Sequence, residues 1–282
     1  MNDPALEAVL RRDRVIVLVA LLTLASLASI YVWWLAGDMA MGGMDMSGFR
    51  MIPAGEGLMM RAADPWQPVE FIFVFLMWAI MMVGMMTPSV APMVLLYARV
   101  GRQAATQGKA FANTAWFLSG YLIAWLVFSL CATTIQWILE RAALLNPMME
   151  SASSLFGGIV LFAAGVYQWT PLKDACLRQC QSPLQFIQRH GGFRRKATES
   201  VRLGARHGIY CVGCCWAIMT LLFVVGVMNV LWIAVFSILI LMEKIAPVGR
   251  VISRLAGIVF VVAGVWLIAS FAYSGIAPLA GN

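Results

Sequence analysis

The stretch GIYCVGCCWAIM, residues 208–219, sets Cys211, Cys214 and Cys215 within five positions at the start of a long apolar run. A second pair, Cys176 and Cys180, stands in TPLKDACLRQCQSP, where Thr170 can cap a helix, Pro171 suits its first position and Pro183 ends it. Four apart on a helix, Cys176 and Cys180 share a face. His207, Cys211, Cys214 and Cys215 fall within an arc of about 100° on a second helix. Thiolates and an imidazole are soft or borderline donors that favour copper(I) or zinc. Neither spacing is the paired C-x-x-C of a zinc ribbon, so the pattern favours a thiol site without fixing the metal. The sixth cysteine, Cys131, stands alone and reads as a small packing residue.

Methionine supplies a second set of sulfurs, 19 in all. DMAMGGMDM carries Met39, Met41, Met44 and Met46, followed by Met51, Met59 and Met60. A glycine-bearing segment has no core to fill, and neutral thioethers bind copper(I) or silver(I) even where thiols would be oxidised. MWAIMMVGMMTPSVAPM, residues 77–93, places Met77, Met81 and Met85 in one helical lane and Met82, Met86 and Met93 in another. These lanes are open to two readings, ligands or packing. Pro88 and Pro92 should break the helix and free carbonyls that must be satisfied inside protein or by water.

The elements that must position these sulfurs are membrane helices. Of 282 residues, 62% are hydrophobic and 12% charged, against about 45–50% and 25% in soluble domains. Apolar runs long enough for a bilayer core of about 30 Å recur along the chain. The expected fold is all-α: a single polytopic membrane domain of about seven spans at 15–36, 69–97, 114–138, 151–169, 208–226, 229–245 and 255–273. A signal peptide competes for the first run, but its apolar core would be about 7–15 residues. Between the spans lie a methionine-rich outer loop (37–68) and a basic cytoplasmic loop with a short helix (170–207). The uninterrupted stretch 208–242 is too long for one straight crossing; Gly226–Asn229 is the natural turn, with Asn229 as a cap. One crossing with a re-entrant piece is the alternative.

With the N-terminus inside, seventeen of the 20 Lys and Arg fall on the cytoplasmic side, leaving Arg50, Arg61 and Arg141 outside. The positive-inside rule then gives N-in, C-out topology. The net charge of +7 is mainly this topology signal and does not indicate nucleic acid. Five of six cysteines sit at the inner face, where thiols stay reduced and a disulfide framework is not expected. Glu243 adjoins Lys244 and reads as an interfacial ion pair. Walker, dinucleotide and H-E-x-x-H sequences are absent, and the sequence does not point to an enzyme.

MWAIMMVGMMTPSVAPM, GYLIAW, GVYQWTPLKDACLRQCQSPLQF, GIYCVGCCWAIM, GVMNVLW and EKIAP, in this order over about residues 70–250, closely resemble a bacterial family of predicted metal-binding integral membrane proteins of unknown function. The resemblance implies metal binding and supplies no substrate, reaction or fold template. The leading expectation is a protein of the bacterial inner membrane that binds copper(I), with zinc or silver as alternatives, and transports or delivers it across the bilayer. Outer methionines would collect the ion, the lanes at 77–93 pass it, and the inner thiolates receive it, with His207 a further candidate ligand. Expected partners are the bilayer and a soluble metal acceptor, with homo-oligomerisation left open. A membrane thiol–disulfide oxidoreductase using Cys211 and Cys214 is the rival, and a metalloenzyme or assembly factor with a resident ion is a further alternative.

Overall fold

In the computed structural model, which describes residues 19, 22–37, 49–51, 53, 59–61, 65–107, 112–146, 149–192 and 196–276, the apolar runs are helices. They are α1 (Leu22–Gly37), α2 (Pro68–Thr106), α3 (Thr114–Arg141), α4 (Ser154–Tyr167), α5 (Pro171–Gln181), α6 (Pro183–Arg189), α7 (Ala197–Thr220), α8 (Leu222–Val225), α9 (Val230–Ile245) and α10 (Gly249–Ile276). Between α1 and α2 a small antiparallel ribbon pairs Phe49–Met51 with Met59–Arg61, setting Met51 opposite Met59.

The all-helical class holds, and four helices are long and apolar enough to cross a bilayer: α2, α3, the α7–α8 run and α10. The pair α4 and α5, bent by 64°, makes a fifth if it is one broken crossing. α4 has 14 residues and α9 has 16, fewer than the about 20 of a standard crossing. A bilayer environment follows from the outer surface. Val251, Leu255, Ile258, Val259, Val262 and Trp266 line an exposed face of α10, and Leu22, Leu27, Ile30 and Trp33 do so on α1. Apolar faces of this extent are unfavourable in water and ordinary in lipid.

Three expectations about the elements are revised. α2 runs unbroken through Pro88 and Pro92; these prolines withhold a donor from the Gly84 and Pro88 carbonyls, and side chains bond to the carbonyls beside them. Thr87 Oγ1 donates to the Val83 carbonyl (2.6 Å), and Ser89 Oγ (2.9 Å) and Tyr121 Oη (3.4 Å) both donate to that of Met86. α7 begins at Ala197, eleven residues before the expected start, with Glu199 in its first turn favouring the helix N-terminus. The segment 170–207 is therefore largely helical, and Lys173 within it is fully buried. The long stretch 208–242 does divide: α8 stops at Gly226, whose φ of +96° suits glycine, and the Asn229 side chain caps α9 by accepting from Trp232 N.

Small residues bring the core helices together. α3 and α7 meet where the Cα of Gly204 lies against the Phe117 carbonyl and that of Gly120 against the Val201 carbonyl. α4 and α10 meet likewise through Gly158, Gly165, Gly257 and Gly264. α5 packs on α7, which carries Cys176 and Cys180 to the helix bearing the other thiols.

Candidate metal centre

α5 begins as its sequence requires: Thr170 Oγ1 accepts from Lys173 N (3.3 Å), and Pro171 opens the helix. Laid against α7, it presents Cys180 Sγ 4.0 Å from Cys214 Sγ. Two metal–sulfur bonds of about 2.3 Å set their sulfurs about 3.8 Å apart in tetrahedral geometry and about 4.6 Å apart in a linear one. The observed separation lies between these values. Cys176 Sγ rests on the bare Cα of Gly213, where a β-carbon would approach it to 2.8 Å. The backbone there is held by Tyr167 Oη, which donates to the Gly213 carbonyl (2.5 Å).

Cys211, Cys214 and Cys215 are all buried. The thiols of Cys214 and Cys215 donate to the Cys211 carbonyl at 3.1 and 2.8 Å. Cys211 Sγ faces Tyr121 Oη (3.1 Å) and Lys244 Nζ (2.9 Å). On α5, burial and then the neighbouring Cys214 push the Cys176 thiol up. Cys180 is pushed up by hydrogen bonding to Cys211 and Cys214 and by burial. Both thiols are thus protonated at neutral pH, and a metal must displace their protons.

His207 lies one turn before Cys211 on α7 and is 3% exposed. Its ring is enclosed by Phe117, Tyr121 and Phe186 at centroid distances of 6.0, 6.0 and 4.9 Å. Among the described residues its Nδ1 has no hydrogen-bond partner. A buried ring nitrogen left unpaired beside thiols is what a cation or an ordered water would satisfy.

The structure thus gathers Cys176, Cys180, Cys211, Cys214, Cys215 and His207 between α5 and α7. Among the described residues, however, no three His, Cys, Asp or Glu side chains stand close enough to hold one ion together. The donor set fits an ion content with two sulfurs. Met77, Met81, Met82, Met85, Met86 and Met93 are buried in the core of the bundle rather than turned to lipid. Met86 is tied to the thiols through Tyr121, whose hydroxyl meets both the Met86 carbonyl and Cys211 Sγ. Met39, Met41, Met44 and Met46 lie outside the described residues. Cys131 is exposed on α3 and packs into no core, contrary to the expectation for it.

Sequence reasoning missed Tyr121 and Lys244, and it mispaired Glu243. That carboxylate meets Lys173 Nζ at 2.9 Å, with both side chains 1% exposed. Gln168 Oε1 accepts from Lys173 Nζ and from Ser253 Oγ, and Gln181 Nε2 donates to the Glu243 carbonyl. Neighbours on a helix point about 100° apart, so Glu243 and Lys244 enter different surroundings. The available signal was two ionisable groups inside an apolar helix, which mark a functional region by default.

No curated protein and no solved structure matches this chain. A family model described as PpoB2, copper chaperone, matches residues 75–267. That span runs from within α2 through most of α10 and contains every thiol of the cluster, so the chain belongs to the PpoB2 copper chaperone family.

Proposed function

We propose that this chain is a membrane-embedded chaperone that holds copper(I) between Cys180 and Cys214 and passes it across the inner membrane to or from the methionines of α2. The 4.0 Å approach of these two sulfurs, from separate helices, carries the reading. Soft ligands and low coordination number suit copper(I) better than zinc, which takes four ligands in its structural sites. Cys176, Cys211 and Cys215 stand ready as exchange partners, and His207 Nδ1 offers a nitrogen donor one turn nearer the start of α7. Thioethers hold the ion weakly, and an ion in transit must leave as readily as it enters.

On this reading the methionine-rich segment before α2 collects copper outside, Met77, Met81 and Met85 or Met82 and Met86 relay it, and a soluble acceptor meets the thiols inside. The copper chaperone family lends weight to copper as the cargo. It lends none to thiol–disulfide exchange.

Anaerobic titration of the detergent-purified full chain with copper(I), and with silver(I) as a redox-inert mimic, tests the site. X-ray absorption should find sulfur donors at low coordination number. Cys180→Ser or Cys214→Ser should each weaken binding at least tenfold, and Cys131→Ser should leave it intact. Unchanged affinity in both inner variants would remove the proposal.

A further inference from the structure

Lys244 is 6% exposed near the end of α9. Its Nζ stands 2.9 Å from Cys211 Sγ and 3.1 Å from Ser89 Oγ, and the ion pairs among the described residues do not include it. The adjacent Glu243 is committed to Lys173. A buried ammonium is costly unless its charge is balanced. Here the groups placed to balance it are the thiols of α7, with Cys214 and Cys215 also within its electrostatic reach. Ser89 sits on α2 and donates to the Met86 carbonyl, so the ammonium lies where the methionine helix meets the cysteine helix.

We infer that Lys244 is a specificity-determining residue that sets the charge of the thiol pocket and selects a univalent ion over a divalent one. The inference rests on the copper(I) reading of the same pocket. Its basis is charge conservation. Two thiols that bind copper(I) release two protons to water and leave S–Cu–S with a net charge of −1, which the ammonium neutralises. The same two thiols around zinc(II) also release two protons, but the S–Zn–S unit is neutral. The ammonium then stays as uncompensated as it was beside two protonated thiols, and zinc gains nothing from it. At an effective dielectric of about 20, one unit of charge a few ångströms away is worth on the order of a hundredfold in an equilibrium constant. Sulfur softness favours copper(I) in any thiol pair; the tethered cation adds a gain that only a univalent ion collects.

The test is competition between copper(I) and zinc(II) for the full-length protein in detergent, anaerobically, against chromophoric chelators of known affinity. Lys244→Met should lower the copper-to-zinc affinity ratio at least tenfold, mainly by weakening copper(I). Lys244→Arg, which keeps the charge, should hold the ratio near that of the unmodified chain. Lys244→Gln serves as a second neutral variant should the Met form lose its helicity or its monodisperse elution. The double variant Lys173→Met with Glu243→Gln removes the neighbouring buried pair and should leave the ratio alone. A ratio within twofold of the unmodified value in the neutral Lys244 variants overturns the inference while leaving the copper site standing. An equal shift in the double variant overturns it too, by tracing the effect to the bundle instead of this ammonium. An unmodified chain that binds no copper(I) overturns the site itself, and the role of Lys244 with it.

Discussion

At Gly213 a β-carbon would stand 2.8 Å from Cys176 Sγ, which makes one methyl group a probe of the thiol pocket. Gly213→Ala must push α5 outward or rotate Cys176 away, and overpacking of this kind typically costs about 1–3 kcal/mol. The expected result is a modest loss of thermal stability together with weaker silver(I) binding, followed by unfolding and by titration. Retained affinity would mean that the α5–α7 spacing is not critical. Glu243→Gln tests the neighbouring buried pair. It strands the Lys173 ammonium in an apolar setting and should cost about 3–5 kcal/mol, whereas neutralising both partners should be far milder. Comparing thermal melts of the single and double variants separates the two. At this scale the thiols were legible because cysteine brings its own chemistry and the spacings 176/180 and 211/214/215 fix a helical face. Lys244 and Tyr121 were not. Their roles depend on which neighbour each meets across the bundle, and adjacency in sequence pointed Glu243 at the wrong lysine.

The helices themselves were readable from apolar runs and turn residues, since Thr170, Pro171, Gly226 and Asn229 act through local geometry. The proline break in α2 was not, because the helix there is embedded in the bundle, with Thr87, Ser89 and a tyrosine from another helix bonded to the carbonyls beside those the prolines free. The start of α7 was also missed. Residues 197–207 are polar enough to read as loop, yet one face of that stretch is buried, with Ser200 against Tyr97 Oη (2.8 Å) and Leu203 in the core. The same stretch carries the contact on which the site depends at this scale. Gly204 lies against the Phe117 carbonyl of α3, and Gly208 comes next, where a β-carbon would meet Ala124 Cβ at 2.6 Å. A side chain at either position must part α3 from α7, and Tyr121 would then lose its reach to Cys211. Gly204→Leu should therefore lower stability by several kcal/mol on the scale of core overpacking. It should also release silver(I), although position 204 is nearly two helical turns from the nearest thiol. Measured affinity that survives the loss of stability would uncouple the α3–α7 contact from the pocket.

For the whole molecule, crossing number and the side on which each end lies are joined through α9. Its 16 residues rise about 24 Å, short of a hydrocarbon core of about 30 Å. The turn at Gly226 nonetheless returns the chain toward the end where Lys244 meets Cys211. If α7–α8 and α9 each cross, the bilayer thins locally or the Glu243–Lys173 and Lys244–Cys211 contacts let the polar end of α9 stop inside the protein at modest cost. α10 then crosses outward, and with α1 also crossing there are seven spans. If instead α9 only re-enters, the C-terminal end of α10 moves to the cytoplasmic side. The charge distribution argues for seven, because that count alone keeps seventeen basic residues inside. Fusions carrying a periplasm-active phosphatase or a cytoplasm-active fluorescent protein discriminate between the two. After Asn282 the phosphatase should be active and the fluorescent protein dark, and within residues 190–196 the pattern should reverse. A fluorescent C-terminal fusion would make α9 re-entrant. The cytoplasmic position proposed for the thiols rests on the basic segment before α7, so the copper reading would survive a revised crossing number. A phosphatase active at residues 190–196 would instead place the thiols in an oxidising compartment, where a free five-cysteine pocket does not persist, and no rearrangement of spans could rescue the inward delivery of copper(I).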